Sequence, residues 1–71
     1  SSDLYNAFYT ASKLEDVSLD TIRKSVYNVK DNIDANISPT LRHSIFRDNN
    51  IKEMNLPDFF DYIVSYIEEL K

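Results

Sequence analysis

Seventy-one residues make one domain near the lower size limit for independent folding, with a core worth only about 3–5 kcal/mol of net stability. The lack of Cys rules out disulfides and thiolate metal sites, and a single His cannot build an ordinary zinc tetrad. The lack of Gly removes every glycine-based phosphate loop and argues against tight hairpins, while a net charge of −4 opposes binding to a phosphate backbone.

The first predicted element is a helix over about residues 3–14, capped by Ser2 or Asp3, with Leu4, Ala7, Phe8, Ala11 and Leu14 on one face. Tyr5 and Tyr9 lie to one side of that face. A second helix is expected over 18–35, opened by Ser18 as N-cap with Asp20 favourably placed in its first turn. Leu19, Ile22, Val26, Val29 and Ile33 step by three and four along it, and Tyr27 falls off the stripe.

Ser38-Pro39 signals the start of a third helix over 39–48, because proline's missing N–H is unpaired in a first turn anyway. Leu41 and Ile45 should point inward, with Phe46 beside them. Asp48-Asn49-Asn50 should end the helix, since Asn tolerates the left-handed conformation. Ile51 and Met54 fall in a connector. Asn55 then caps a fourth helix over 56–71, with Pro57 in its first turn. The expected fold is all-α, a small compact bundle of four helices forming a single domain over 1–71.

The last helix is the most informative. Leu56, Phe60, Ile63, Ile67 and Leu70 alternate four and three residues apart, which suits a core stripe. Phe59, Tyr62 and Tyr66 add a second stripe and Val64 widens the other edge, so the apolar arc spans roughly 200° against the ~100° of a typical surface helix. Two readings follow. Either this is the central helix, surrounded by the other three with its tyrosine hydroxyls reaching the surface, or Phe59, Tyr62 and Tyr66 form an exposed strip that docks a partner helix or a second copy.

The charge is unevenly spread. From Lys13 to Lys52, seven basic residues (Lys13, Arg23, Lys24, Lys30, Arg42, Arg47, Lys52) stand against six acids (Glu15, Asp16, Asp20, Asp31, Asp34, Asp48). From Glu53 onward, five acids face only Lys71, so the net negative charge belongs to the final helix. Arg42, His43 and Arg47 on the third helix invite comparison with a recognition helix, but they are few and interleaved with acids.

Catalytic chemistry has little to work with. His43 has no carboxylate partner evident in sequence, and Tyr9 and Lys13, four apart as in some reductases, lack a dinucleotide loop to serve. Asp58 and Asp61, and Glu68 and Glu69, are carboxylate pairs on an exposed helix face, without the cleft that a two-carboxylate mechanism needs. Asn36-Ile37-Ser38 matches a glycosylation sequon, but Ser38 is explained as a cap. No enzyme activity, cofactor or metal is expected.

Ser18-Leu19-Asp20 at the opening of a helix, followed by a short helix and a final aromatic one, resembles the acyl and peptidyl carrier proteins. In that family a serine at the start of the second helix carries phosphopantetheine, which implies Ser18 as the attachment site. Val17 departs from the family's pattern of Asp or Gly-Gly/His before the serine, and residues 1–17 are shorter than its first helix and loop.

The leading expectation is a non-catalytic protein–protein interaction or assembly module. Tyr5, Tyr9, Tyr27, Phe59, Tyr62 and Tyr66 would serve as its partner-binding residues, and its partner would be another protein or a second copy. A carrier-like domain and a nucleic-acid-binding domain are the alternatives. The opening Ser1-Ser2-Asp3, without Met, reads as a piece of a larger protein, and the absence of Cys is compatible with an intracellular setting, cytoplasmic or nuclear; no signal peptide or membrane-spanning apolar run is visible.

Overall fold

The computed structural model describes residues 2–71, and of Ser2 only the backbone. It is all-α: α1 (Ser2–Glu15), α2 (Leu19–Asn36), α3 (Pro39–Phe46) and α4 (Leu56–Leu70), with no strand among the described residues. The expected four-helix bundle is therefore what forms. The Ser2 cap proposed for α1 lies outside the described side chains.

Three helix starts are set by local chemistry. The Ser18 hydroxyl accepts from the Thr21 N–H at 3.1 Å, the Ser38 hydroxyl from the Leu41 N–H at 3.2 Å, and the Asn55 side-chain oxygen from the Asp58 N–H at 2.9 Å. Each satisfies a first-turn donor that has no partner within its helix. Pro39 and Pro57 stand in the first turns of α3 and α4, where the missing N–H costs nothing. Ser38→Ala should lower the unfolding free energy by about 1 kcal/mol. Urea unfolding followed by helical circular dichroism would read this, and an unchanged midpoint would show that Pro39 alone sets the start of α3.

The helix ends solve the problem of a chain without glycine. Asp16 takes a positive φ of 54° after α1, and the Val17 N–H reaches back to the Ser12 carbonyl at 3.0 Å. Helix α3 stops at Phe46, two residues before the expected Asp48, because Arg47 adopts φ 59° and ψ −131°. The asparagines do not take the left-handed position. Asn49 instead donates both its backbone N–H (3.2 Å) and its side-chain amide (2.8 Å) to the Phe46 carbonyl, which α3 leaves exposed at its end.

The helices pair in sequence order, α1 on α2 and α3 on α4, in a body 38 × 26 × 17 Å. The core sits at one end of that body. Phe46 and Phe59 stack with ring centroids 5.6 Å apart and planes 9° from parallel, and Phe60 meets Phe59 edge-on at 5.5 Å. Ile51, from the connector, is fully buried with them, and Ile33, Ile37, Ile45, Met54, Tyr62 and Ile63 pack around the cluster. Leu56 is also buried. Helix α4 is thus no central rod ringed by three others. Its N-terminal half carries the core and its C-terminal half runs on.

Helix lengths explain the overrun. At 1.5 Å per residue the eight residues of α3 span about 12 Å, while the fifteen of α4 span about 22 Å. Ile67 and Leu70, expected in the core, are therefore exposed, Leu70 to 68%. Leu14, at the end of α1, was also expected inside and is 80% exposed. Val29 and Leu41 were also expected inside and are exposed, and they border the groove described below.

The connector between α3 and α4 is held from α2. Lys30 is 1% exposed, and its ammonium donates to the carbonyls of Ile51 (2.7 Å), Lys52 (2.9 Å) and Met54 (2.9 Å). Those three bonds use all three ammonium protons. The Tyr27 ring lies 5.7 Å from the same nitrogen. A second tie joins α2 to α3: the Arg42 guanidinium donates to the Asp34 carboxylate at 2.6 Å and to the Asp34 carbonyl at 2.8 Å.

Candidate functional site

A groove of about 510 Å³ with an almost wholly apolar lining opens between α2, α3 and α4. Helix α2 supplies Val29 and Ile33, with Asn32 and Asn36 as the only polar side chains of the lining, and its C-cap supplies Ile37; α3 supplies Leu41, Ile45 and Phe46, and α4 supplies Ile63. Its existence follows from the chain itself. The stripe Val29–Ile33–Ile37 is wider than the short α3 can cover, and the Ser38-Pro39 start turns the chain away before another helical turn can close over it. No charged side chain lines it. Beyond Ile63, the same stripe of α4 continues through the exposed Ile67 and Leu70, with Val64 beside it.

The six aromatic residues named from sequence do not form one surface. Phe59 is 1% exposed and belongs to the core, so it is not available to a partner. The physical reason is the phase of α4, which turns its Phe59 edge toward Phe46. Tyr62 is half-buried; its ring meets Phe46 edge-on at 6.0 Å, and its hydroxyl accepts from the Asn49 amide at 2.9 Å. Tyr66 is half-buried one turn on, beside Ser44, Ile45, Arg47 and Glu69. Tyr27 is half-buried between Arg23 and Lys30, each 5.7 Å from its ring centroid. Tyr5 and Tyr9 are exposed on α1, where the Lys13 ammonium lies 5.2 Å from the Tyr9 ring. The Tyr9–Lys13 spacing thus makes a cation–π pair.

Other sequence candidates take structural positions. Ser18 is exposed; its hydroxyl caps α2 and lies 2.9 Å from that of Thr21. Two residues on, Arg23 (2.9 Å) and Lys24 (3.1 Å) clasp the Asp20 carboxylate. The hydrogen bond from Arg23, and then that from Lys24, holds it below its ordinary value of 3.8. A depressed carboxylate stabilises the fold above the ordinary Asp range and loses that contribution as pH falls through its lowered value. His43 is exposed, 3.7 Å from the Asp48 carboxylate. Among the described residues no group of three or more His, Asp or Glu side chains could hold a metal ion, and no helix is long and apolar enough to cross a membrane.

Sequence reasoning found most lining residues of the groove but assigned Val29, Ile33, Leu41, Ile45 and Ile63 to a closed core. The signal that could have exposed the gap was the brevity of α3 between Ser38-Pro39 and the Asn-rich stop. Comparison with known proteins finds no match among family models, curated proteins or solved structures.

Proposed function

We propose that this domain is a non-catalytic protein–protein interaction module that seats the apolar face of a partner's helix in the groove between α2, α3 and α4. The observation that carries the reading is an open apolar groove of about 510 Å³ with no charged side chain in its lining, and Ile67 and Leu70 are exposed further along α4. Apolar residues gathered into one patch and rimmed by polar ones suit an interaction site better than the same residues scattered singly would. A small-molecule site encloses most of its ligand in a cleft, whereas this trough lies open to solvent. A row of aliphatic side chains along a trough suits the i, i+3, i+4, i+7 face of an amphipathic helix. The docking residues are then Val29, Leu41 and Ile63 with Ile67, rather than the tyrosines.

The test uses an 18-residue helical peptide with Leu at those four repeating positions and Gln elsewhere. Titrated into the labelled protein, it should shift the amide resonances of residues 29–37, 41–45 and 63–70 and leave those of 4–12 unmoved. Val29→Lys and Leu41→Lys, both at exposed positions, should abolish the shifts while the helical signal persists. No shift in the groove with the parent protein, or the same shifts in both variants, would overturn the reading.

A further inference from the structure

Helices α1 and α2 are written in one phase. Leu4, Phe8, Ala11, Leu19, Ile22 and Val26 are half-buried along the pair. At 100° per residue all six fall within about 40° of one line, and Val29 and Ile33 continue it. A turn between two helices leaves their phases independent, so this agreement is a property of the sequence on both sides. A single helix over residues 2–36 would carry one unbroken apolar stripe, interrupted only at Glu15.

The turn that divides the stripe is lightly held. Asp16 takes φ 54°, the Val17 N–H reaches the Ser12 carbonyl, and Ser18 caps α2. Left-handed backbone costs a residue with a Cβ, though Asp less than most. Neither Gly nor Pro stands between Glu15 and Ser18, so nothing there favours the turn or forbids a helix. Helix α1 packs mainly on α2.

We infer that Asp16 is a hinge at which α1 and α2 straighten into one helix, and that two such chains pair antiparallel, each α1 seated on the α2 of the other copy. The occupant of that face of α2 is fixed by the fold itself, since α1 already packs there. The swap keeps the α1–α2 interface and returns Asp16 to right-handed backbone. It also gives the N–H groups of the junction carbonyl partners four residues back. Two effects oppose it. The Ser18 cap is given up, and Glu15 and Asp16 meet their copies near the two-fold axis. Protein concentration then decides between the two forms. The inference is independent of the groove reading, because α3 and α4 follow α2 and the swap leaves both grooves as they are.

Sedimentation velocity should show the mass rising from one chain toward two as concentration increases. Asp16→Ala should strengthen the dimer roughly tenfold, because Ala resists left-handed backbone and favours the helix. Asp16→Gly should weaken it by a similar factor, since Gly takes the turn freely and disfavours the helix. Both variants remove the same charge, so opposite effects report the backbone alone. The chain has no Cys, which lets Asn6→Cys and Asn28→Cys carry nitroxide labels at exposed sites, each eleven residues from Val17. The doubly labelled chain is diluted into unlabelled protein for the distance measurement. A hairpin holds the two helix axes about 10 Å apart, whereas the straightened helix sets the labelled positions about 33 Å apart. The long distance in the dimer supports the swap. A dimer that keeps the short distance, equal dimerisation of the Ala and Gly variants, or parent and Asp16→Ala proteins that both stay monomeric to millimolar concentration would each overturn it.

Discussion

Lys30→Met should lower the unfolding free energy by about 2–3 kcal/mol, more than half of what a domain this small has to lose. The Lys30 ammonium supplies three hydrogen bonds, to the carbonyls of Ile51, Lys52 and Met54. Bonds from a charged donor are the strong kind, and without them the buried Ile51 carbonyl and the part-buried carbonyls of Lys52 and Met54 each lose a donor. Two opposing effects decide the size. Methionine of similar shape relieves the cost of keeping an ammonium out of water, which offsets part of the loss. The carbonyls, however, sit in a connector with few other donors, since only the Met54 N–H reaches the Ile51 carbonyl, at 3.2 Å. The urea midpoint should fall at unchanged slope, and amide exchange at 51–56 should accelerate before that of α2. Lys30→Arg should recover little, because a planar guanidinium cannot aim three protons at converging acceptors. A Lys30→Met protein as stable as the parent would show that desolvation of the ammonium cancels its three bonds.

Phe59→Ala should unfold the domain. Truncating a buried aromatic costs about 3–5 kcal/mol, which equals the whole stability expected of a core this size. Phe59 stacks on Phe46 and carries Phe60 on its edge, so the cavity would open at the centre of the only fully buried apolar cluster among the described residues. Helical circular dichroism at 25 °C should be largely lost. Phe59→Leu, which keeps most of the volume, should retain the signal with the unfolding free energy lowered by about 1 kcal/mol. A fully helical Phe59→Ala protein with an unshifted midpoint would return Phe59 to the surface role that its place on the second stripe of α4 first suggested.

The contrast between Phe59 and Ser38 shows where the sequence is legible. Caps and early prolines act within three or four residues of where they are written, so Ser18, Ser38-Pro39 and Asn55 placed three helix starts correctly. Rotation of a helix is a tertiary property. With apolar side chains over some 200° of α4, many phases bury a comparable area, and only the positions of Phe46 and Ile51 select the one that buries Phe59. Nothing local in the sequence sets Lys30 apart from the other six bases counted with it, because its acceptors lie 21 to 24 residues away in a connector with no periodic pattern. Ile51 was hidden for the same reason. The groove went unseen because periodicity reports which residues are apolar along a face, and whether another helix is long enough to cover that face is decided elsewhere in the chain.

The pairing of α1 with α2 gives the molecule a graded architecture. No apolar side chain of α1 is fully buried among the described residues, and the one buried position there, Ser12, bonds only to the Tyr9 carbonyl of its own helix. Helix α2 belongs to both halves, to α1 through its earlier turns and to the Phe46–Phe59 cluster through Lys30, Ile33 and Ile37. Peeling α1 away would leave that cluster and the α2–α3–α4 groove intact. The N-terminal helix is therefore the first foldon to open, a detachable cover over the early part of α2, and in a longer polypeptide it is the element that can be exchanged for another chain at least cost.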